Sequence, residues 1–486
     1  MTKELKAVWS ELDSSQKPCE PLPLRDAVCE VIARMCTQEL GEGLCAAVLT
    51  GSLARDEATI VWEGGRWKVL GDAEFLLIFH ACAALPAAPR LKLLCEQIEN
   101  ILLQRQIVCP VSVSAVHSDY LSRMQPHIFG YELRTCGRVV WGESQILSLI
   151  PAFSPQDIPL EDGWRMLCNR MVELLEVAGR SIDSPGAPPW ELYYRTTKFY
   201  LDMATSFLLF LGAYEPSYRK RAEKLRILAD NTSAHNGSPF LPLRSFSAQV
   251  NAYTQIKLQE FGRGGMSATR GETNVGLTLL EEAVTYARLL WRWELTRLTG
   301  ALDRLSDREL FEKWIELQPI GNRLRGWLYV LRKRRWHRSW REWPRWVRCG
   351  WRASPRYCVY AVASELFFRL PSLLGGGPEG RGLNPAVKGP SSTGALAPDA
   401  PGEPRSPSTL TNQKLQEIRS WLPVVPPLRA ACAGLTRLDE IGKPGAMQPR
   451  AGLVSESEPG TGGTTWQQVA SEIAWNYHEF LEATRA

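Results

Sequence analysis

The chain of 486 residues has no uninterrupted apolar run of the roughly 18 residues that a membrane span needs. Its nearest approach, YCVYAVASELFFRL, is short and contains Glu365. The opening MTKELKAVWSELDSSQ has no apolar h-region, so no secretory signal is expected. No C-x-x-C pair occurs among the twelve cysteines, which sit mainly in apolar runs (Cys29, Cys36, Cys82, Cys95, Cys109). They read as reduced packing residues of a cytoplasmic protein rather than as zinc ligands or disulfides. Net charge is also scarce: 57 Lys and Arg against 52 Asp and Glu leave +5. Over this length, that total does not by itself point to a nucleic-acid or membrane partner. The hydrophobic content of 44% is enough for two or three domains with their own cores.

Hydrophobic spacing orders those domains. Leu24, Ala27, Val28, Val31, Ile32 and Met35 recur at helical intervals, and LCAAVLT after Gly41 and Gly43 reads as a buried strand. ATIVW and WKVL flank a Gly-Gly turn as a hairpin, followed by the strand AEFLLIF. RLKLLCEQIENILLQ is a helix, IVCPVSVSAV reads as one strand, and GYELRTCGRVVWGE closes the unit as helix, turn and strand. Residues 20–150 are therefore expected to form an α/β domain with a small mixed sheet. Long helical patterns at 162–178, 190–212, 217–229, 276–299 and 306–318 then predict a bundle over 160–370, making the fold class α+β.

Residues 322–357 hold twelve Arg or Lys against one acid, Glu342, and six of the eighteen tryptophans. Trp336, Trp340, Trp343 and Val347 would form a narrow apolar edge if the segment were helical despite Pro344. Three readings fit this composition: a bundle helix with buried tryptophans, peripheral contact with an anionic membrane, and stacking on single-stranded nucleic acid. In 375–408, Gly, Pro and Ser make up 19 of 34 residues, as in a disordered linker. Within 409–486, short helices are expected near 410–421 and 465–484.

The chemistry concentrates in LTGSLARDEATIVWEGGRWKVLGDAEFLLIF, residues 49–79. A strand that ends at Gly51-Ser52 and turns into a helix offers amides and a hydroxyl to an anion. Asp72 and Glu74, two apart on the next predicted strand, leave the same face of the sheet. Oxygen ligands so placed suit Mg²⁺ or Mn²⁺ beside a phosphate grip.

This order of features resembles the nucleotidyltransferase superfamily related to DNA polymerase β. TGSLARDEA is similar to the Gly-Ser-x-Ala-Arg-Gly-x-Ala form of its small bacterial members, with Asp56 where glycine is usual. YELRTCGRVVWGE is similar to the segment that closes their catalytic domain, and the resemblance covers about residues 25–143. ELYYRTTKFYLDMATSFLLFLGAYEPSYRKRAEKL resembles the helical domain of aminoglycoside nucleotidyltransferases.

The resemblance implies that Gly51, Ser52, Arg55 and Lys198 hold a nucleoside triphosphate, ATP foremost, and that Asp72 and Glu74 bind the metal. It implies transfer of a nucleoside monophosphate to a hydroxyl of a small molecule or protein, in a cleft between the two domains. Two departures are visible: the hairpin between Ser52 and Asp72, and Ser112 and Ser114 where the family's third carboxylate normally stands. Asp119 lies just beyond them. Alternative readings are a catalytically degenerate nucleotide-binding or regulatory protein on the same fold, and an interaction protein recruited to membrane or nucleic acid by its basic segment.

Overall fold

The computed structural model describes residues 24–183, 189–231, 241–258, 270–301, 304–333, 343–374, 412–422 and 465–484. Helix α1 (Leu24–Leu40) leads into β1 (Leu44–Thr50), every residue of which is buried. Strands β2 (Ile60–Glu63) and β3 (Arg66–Val69) form the hairpin, and β4 (Ala73–Phe79) follows. After α2 (Ala88–Gln104) come β5 (Ile107–Val108), β6 (Val111–His117), α3 (Ile128–Cys136) and β7 (Arg138–Gly142).

Two sheets result. The larger has the order β6-β4-β1-β7, with β1 antiparallel to both neighbours and β4 parallel to β6. Ala47, Leu49, Phe75, Leu77 and Phe79 pack toward α1 and α2, while Ala46, Val48, Leu76 and Ile78 pack against Leu121, Met124 and Leu133. A strand covered on both faces is apolar throughout, which is why LCAAVLT shows no alternation.

The smaller sheet is β2-β3-β5. Residues 107–116, expected as one strand, divide between the two sheets at Cys109-Pro110. Pro110 has no N–H to give a ladder. Its carbonyl accepts instead from the Ala73 amide (2.8 Å), where β4 begins.

The described chain from Leu160 onward is helical: α4 (Leu160–Asp183), α5 (Pro189–Phe210), α6 (Tyr218–Asn231), α7 (Leu243–Leu258), α8 (Arg270–Thr299) and α9 (Asp307–Leu317). Then follow α10 (Ile320–Lys333), α11 (Trp343–Arg352), α12 (Pro355–Phe367), α13 (Asn412–Arg419) and α14 (Trp466–Thr484). Helix α4 packs against α5, α12 and α14 around a core that includes Trp164, Phe199, Phe207 and Tyr360. The structure is thus α+β with a helical majority.

The described parts of the basic segment lie in α10, in α11 and at the start of α12. Trp336 and Trp340 of the expected edge lie outside the described residues, as does 375–408. Trp327 and Cys349 are buried, Arg345 donates to the Leu422 carbonyl (2.6 Å), and Trp351 is 84% exposed. Among the described residues, no helix is long and apolar enough to cross a membrane.

Buried polar contacts fasten the sheets to the helices. The Glu57 carboxylate, 4% exposed, accepts from the Ser217 hydroxyl (2.7 Å) and from the Tyr218 and Arg219 amides (3.0 and 3.3 Å) at the start of α6. It thereby satisfies amides that a helix start leaves open. From the hairpin side, the Thr59 hydroxyl donates to the Lys257 carbonyl (2.9 Å), and Tyr194 donates to the Leu70 carbonyl. Glu57→Ala removes a buried charge with several partners and should cost about 3 kcal/mol. A lowered urea midpoint measures it, and Glu57→Gln should lose less.

Candidate functional site

The cleft is set by the pairing of β1 with β4. Thr50, the last residue of β1, lies opposite Glu74, so the chain leaving β1 at Gly51 runs past the Glu74 side chain. Gly51 has φ of +71°, and a Cβ there would stand 3.2 Å from the Glu74 carboxylate. Glycine is thus favoured by conformation, and any side chain there would also crowd the Glu74 carboxylate. The helix expected after Gly51-Ser52 is a single turn, Gly51–Ala54. So short a turn has little dipole, and the charge that attracts an anion must come mainly from side chains.

Asp72 immediately precedes β4 and is exposed, while Glu74 is half-buried. Burial raises the Glu74 carboxyl above its usual range, the Asp72 charge raises it further, and Lys198 and Arg55 oppose the shift. The structure therefore brings together Gly51, Asp72, Glu74 and Lys198, although Lys198 comes from α5, more than a hundred residues away in sequence. Neither Asp72 nor Glu74 has a hydrogen-bonded or ionic side-chain partner among the described residues.

Arg55 sits differently from its expected phosphate-binding position. Its guanidinium donates to Glu132 (2.8 Å) and Glu57 (3.3 Å) and lies over the Tyr218 ring, so it braces the cleft from within. The Tyr214 hydroxyl donates to the other Glu132 oxygen (2.5 Å).

The third-carboxylate position is now explicit. In the parallel β4/β6 register, Ser112 lies beside Glu74 and Ser114 beside Leu76, both exposed. Asp119 does not replace them. It follows the far end of β6, where His117 pairs with Phe79, and it forms an ion pair with Arg123 (2.9 Å).

Sequence reasoning missed several contributors. Lys257 on α7 is buried, donates to the Thr59 hydroxyl (2.8 Å), and shares the Tyr194 ring with Lys198, each ammonium being 5.8 Å from the centroid. Burial, together with the charges of Lys198 and Arg55, lowers the Lys257 ammonium to about 7. Lys198 is lowered too, first by burial and then by Arg170 and Arg195, with Glu173 and Asp202 opposing. Arg170 bonds Asp202 (2.7 Å) and Glu173, and Arg195 bonds Glu173 (3.2 Å). Lys198 and Lys257 make no ion pair of their own among the described residues. Lys198 was already a candidate through the resemblance, whereas only a pairing of remote helices could have revealed Lys257, because an isolated lysine in a helical pattern reads as a solvated residue.

Cavities of about 350 and 440 Å³ lie among the helices, beside Trp291 and Arg308 and beside Arg165 and Arg323 respectively. Neither is lined by Asp72, Glu74 or Lys198, so that cluster lies outside both cavities.

A raised carboxyl makes its stability effect readable. The unfolded chain ionises Glu74 at lower pH than the folded chain does, so stability falls as pH rises from the ordinary carboxylate range through the raised folded value. Glu74→Gln should therefore raise the melting temperature by a few degrees at neutral pH, an effect of about 1 kcal/mol. The gain should vanish below the ordinary carboxylate range, as thermal melts across pH would show.

Comparison with known proteins gives little beyond this geometry. No family model matches the chain, and no curated protein matches it. The crystal structure of spectinomycin adenyltransferase from Enterococcus faecialis with ATP and spectinomycin is similar over 54% of this chain and 98% of its own, at 13% identity and a TM-score of 0.31. A likeness of that size carries no functional argument, and the functional reading rests on the cleft itself.

Proposed function

We propose that the cleft binds a nucleoside triphosphate, ATP foremost, together with a divalent cation, and that the protein transfers the nucleoside monophosphate to a hydroxyl acceptor. One observation carries this reading. Among the described residues, Asp72, Glu74, Lys198 and Lys257 form no direct ion pair, whereas the arginines around them are paired with Glu57, Glu132, Asp202 and Glu173. A metal-triphosphate complex has the complementary charges.

Asp72 and Glu74 fit a hard cation: both offer oxygen, one is solvent-accessible, and their repulsion disfavours leaving both ionised alone. Bound there, Mg²⁺ would orient the triphosphate and neutralise charge on the leaving pyrophosphate. Lys198 supplies positive charge to the phosphates, and Lys257 reinforces it from behind. Gly51 leaves the floor open next to Glu74. Arg55, Glu57 and Glu132 hold the β1 turn against α6, which fixes the angle between the metal face and the lysines.

A second reading, nucleotide binding without transfer, is favoured by Ser112. A serine beside Glu74 cannot serve as the base that a third carboxylate would provide.

Titration calorimetry of the full chain with each nucleoside triphosphate and Mg²⁺ tests the proposal. ATP should bind, Asp72→Asn should abolish Mg²⁺-dependent binding, and Lys198→Met should weaken it roughly tenfold, about 1.4 kcal/mol. Unchanged binding in Asp72→Asn would remove the metal role. Pyrophosphate release then separates transfer from binding alone. Proton linkage gives a further expectation: at pH 8 Lys257, with its value near 7, is mostly neutral, and a bound polyanion raises that value. Nucleotide binding at pH 8 should take up a proton, read from enthalpies in buffers of different ionisation heat. Lys257→Met should lose that uptake.

A further inference from the structure

At the other end of the larger sheet, three side chains that the cleft does not use converge. Cys45 is the second residue of β1, His80 follows β4, and Glu143 follows β7. Each can present one ligand atom such that the three atoms lie within 4.8 Å of one another. No hydrogen bond or ion pair engages any of the three side chains among the described residues.

The backbone around them is shaped to this end. The β1/β4 register shifts between Leu44 and Ala46, a bulge that turns Cys45 onto the same face as Ala46. The Glu143 amide donates to the Cys45 carbonyl, and the His80 amide to the Gly43 carbonyl, both at 3.0 Å. Gly142 has φ of +91°, and a Cβ there would meet the Cys45 carbonyl at 2.0 Å, so only glycine lets β7 bring Glu143 this near. Cys45 is 5% exposed, whereas His80 and Glu143 are exposed.

We propose that Cys45, His80 and Glu143 form a binding site for a borderline divalent cation, Zn²⁺ foremost, with its fourth position open to water. The chemistry selects the ion. A sulfur, an imidazole nitrogen and a carboxylate oxygen are a zinc donor set, and the sulfur disfavours Mg²⁺ or Ca²⁺. Tetrahedral zinc needs its ligand atoms closer than 4.8 Å, and the exposed His80 and Glu143 side chains are free to rotate toward the buried sulfur. Binding releases the Cys45 thiol proton to solvent as the sulfur–metal bond forms. The site is separate from the nucleotide cleft: Leu44 pairs with Phe79 here and Thr50 with Glu74 there, about 20 Å apart along β1 at 3.3 Å per residue.

Cobalt reports on this site directly, because a cysteine thiolate bound to Co²⁺ gives a near-ultraviolet charge-transfer band. Titrating the reduced full chain with Co²⁺ should develop that band to saturation at one equivalent, and Zn²⁺ should erase it. Cys45→Ser should abolish the band. His80→Ala and Glu143→Gln, at exposed positions where folding is not at stake, should each weaken Co²⁺ binding roughly tenfold or more. Asp72→Asn should keep the band, which separates this site from the cleft. No saturable band in the wild type, or wild-type affinity in both His80→Ala and Glu143→Gln, would overturn the proposal.

Discussion

The rung that pairs Thr50 with Glu74 is the constraint from which the cleft follows. Antiparallel pairing fixes which residue of β4 lies next to the turn that leaves β1, and the two-residue period of a strand puts Glu74 on the same face as Leu76 and Ile78. A slip of one residue would bury Glu74 among the side chains that face α1 and α2, and would turn Phe75 into the cleft. The wholly apolar character of β1 prevents that slip, since both of its faces are already committed to cores.

The second wall has a different physical basis. Helices α5 and α7 bring Lys198 and Lys257 to the cleft against the cost of desolvating two ammonium groups, and burial lowers both. Glu74 is perturbed in the complementary sense, its carboxyl raised by burial and by the Asp72 charge. Those costs are borne by contacts that are fully paired: Glu57 on the α6 amides, Arg55 on Glu132, and Arg170 on Asp202. The proposed metal-triphosphate complex would supply the opposite charges that these groups do not give one another, which is how perturbed groups at a binding site are balanced.

Much of this was legible in the sequence where a local period or a turn residue governs the outcome. The strands LCAAVLT and AEFLLIF, the Gly-Gly hairpin and the long bundle helices follow from patterning, and so does the place of Glu74 on β4, whereas Asp72, expected on the same strand, falls just before it. What the sequence hid was pairing. The break at Cys109-Pro110 places β5 and β6 in different sheets, a choice decided by which partners are available and not by the segment's own propensity. Glu132, Lys257 and Glu57 matter because of residues tens to two hundred positions away. Arg55 reads as a ligand residue in a motif, and the contacts it makes with Glu132 and Tyr218 are invisible to any local window. Cys45 was masked in the same way: a cysteine in an apolar strand looks like packing, and only the bulge and the two neighbouring strand ends give it company.

One strand therefore carries the two chemical ends of the domain, Cys45 at its start and the Gly51 turn after its finish. Whether they could communicate is a question about β1. Coupling between sites needs an element with two arrangements of comparable energy, each favoured by a different ligand. Strand β1 is buried along its length and hydrogen-bonded on both edges, and shifting it would misplace both cores at once. It offers one arrangement only. A cation held by Cys45, His80 and Glu143 would then act on the stability of the sheet by favouring the folded chain, in proportion to its concentration over its dissociation constant. The cleft proposed to bind nucleotide would keep the same intrinsic affinity, because nothing in the shared strand distinguishes the bound from the unbound state of the other end.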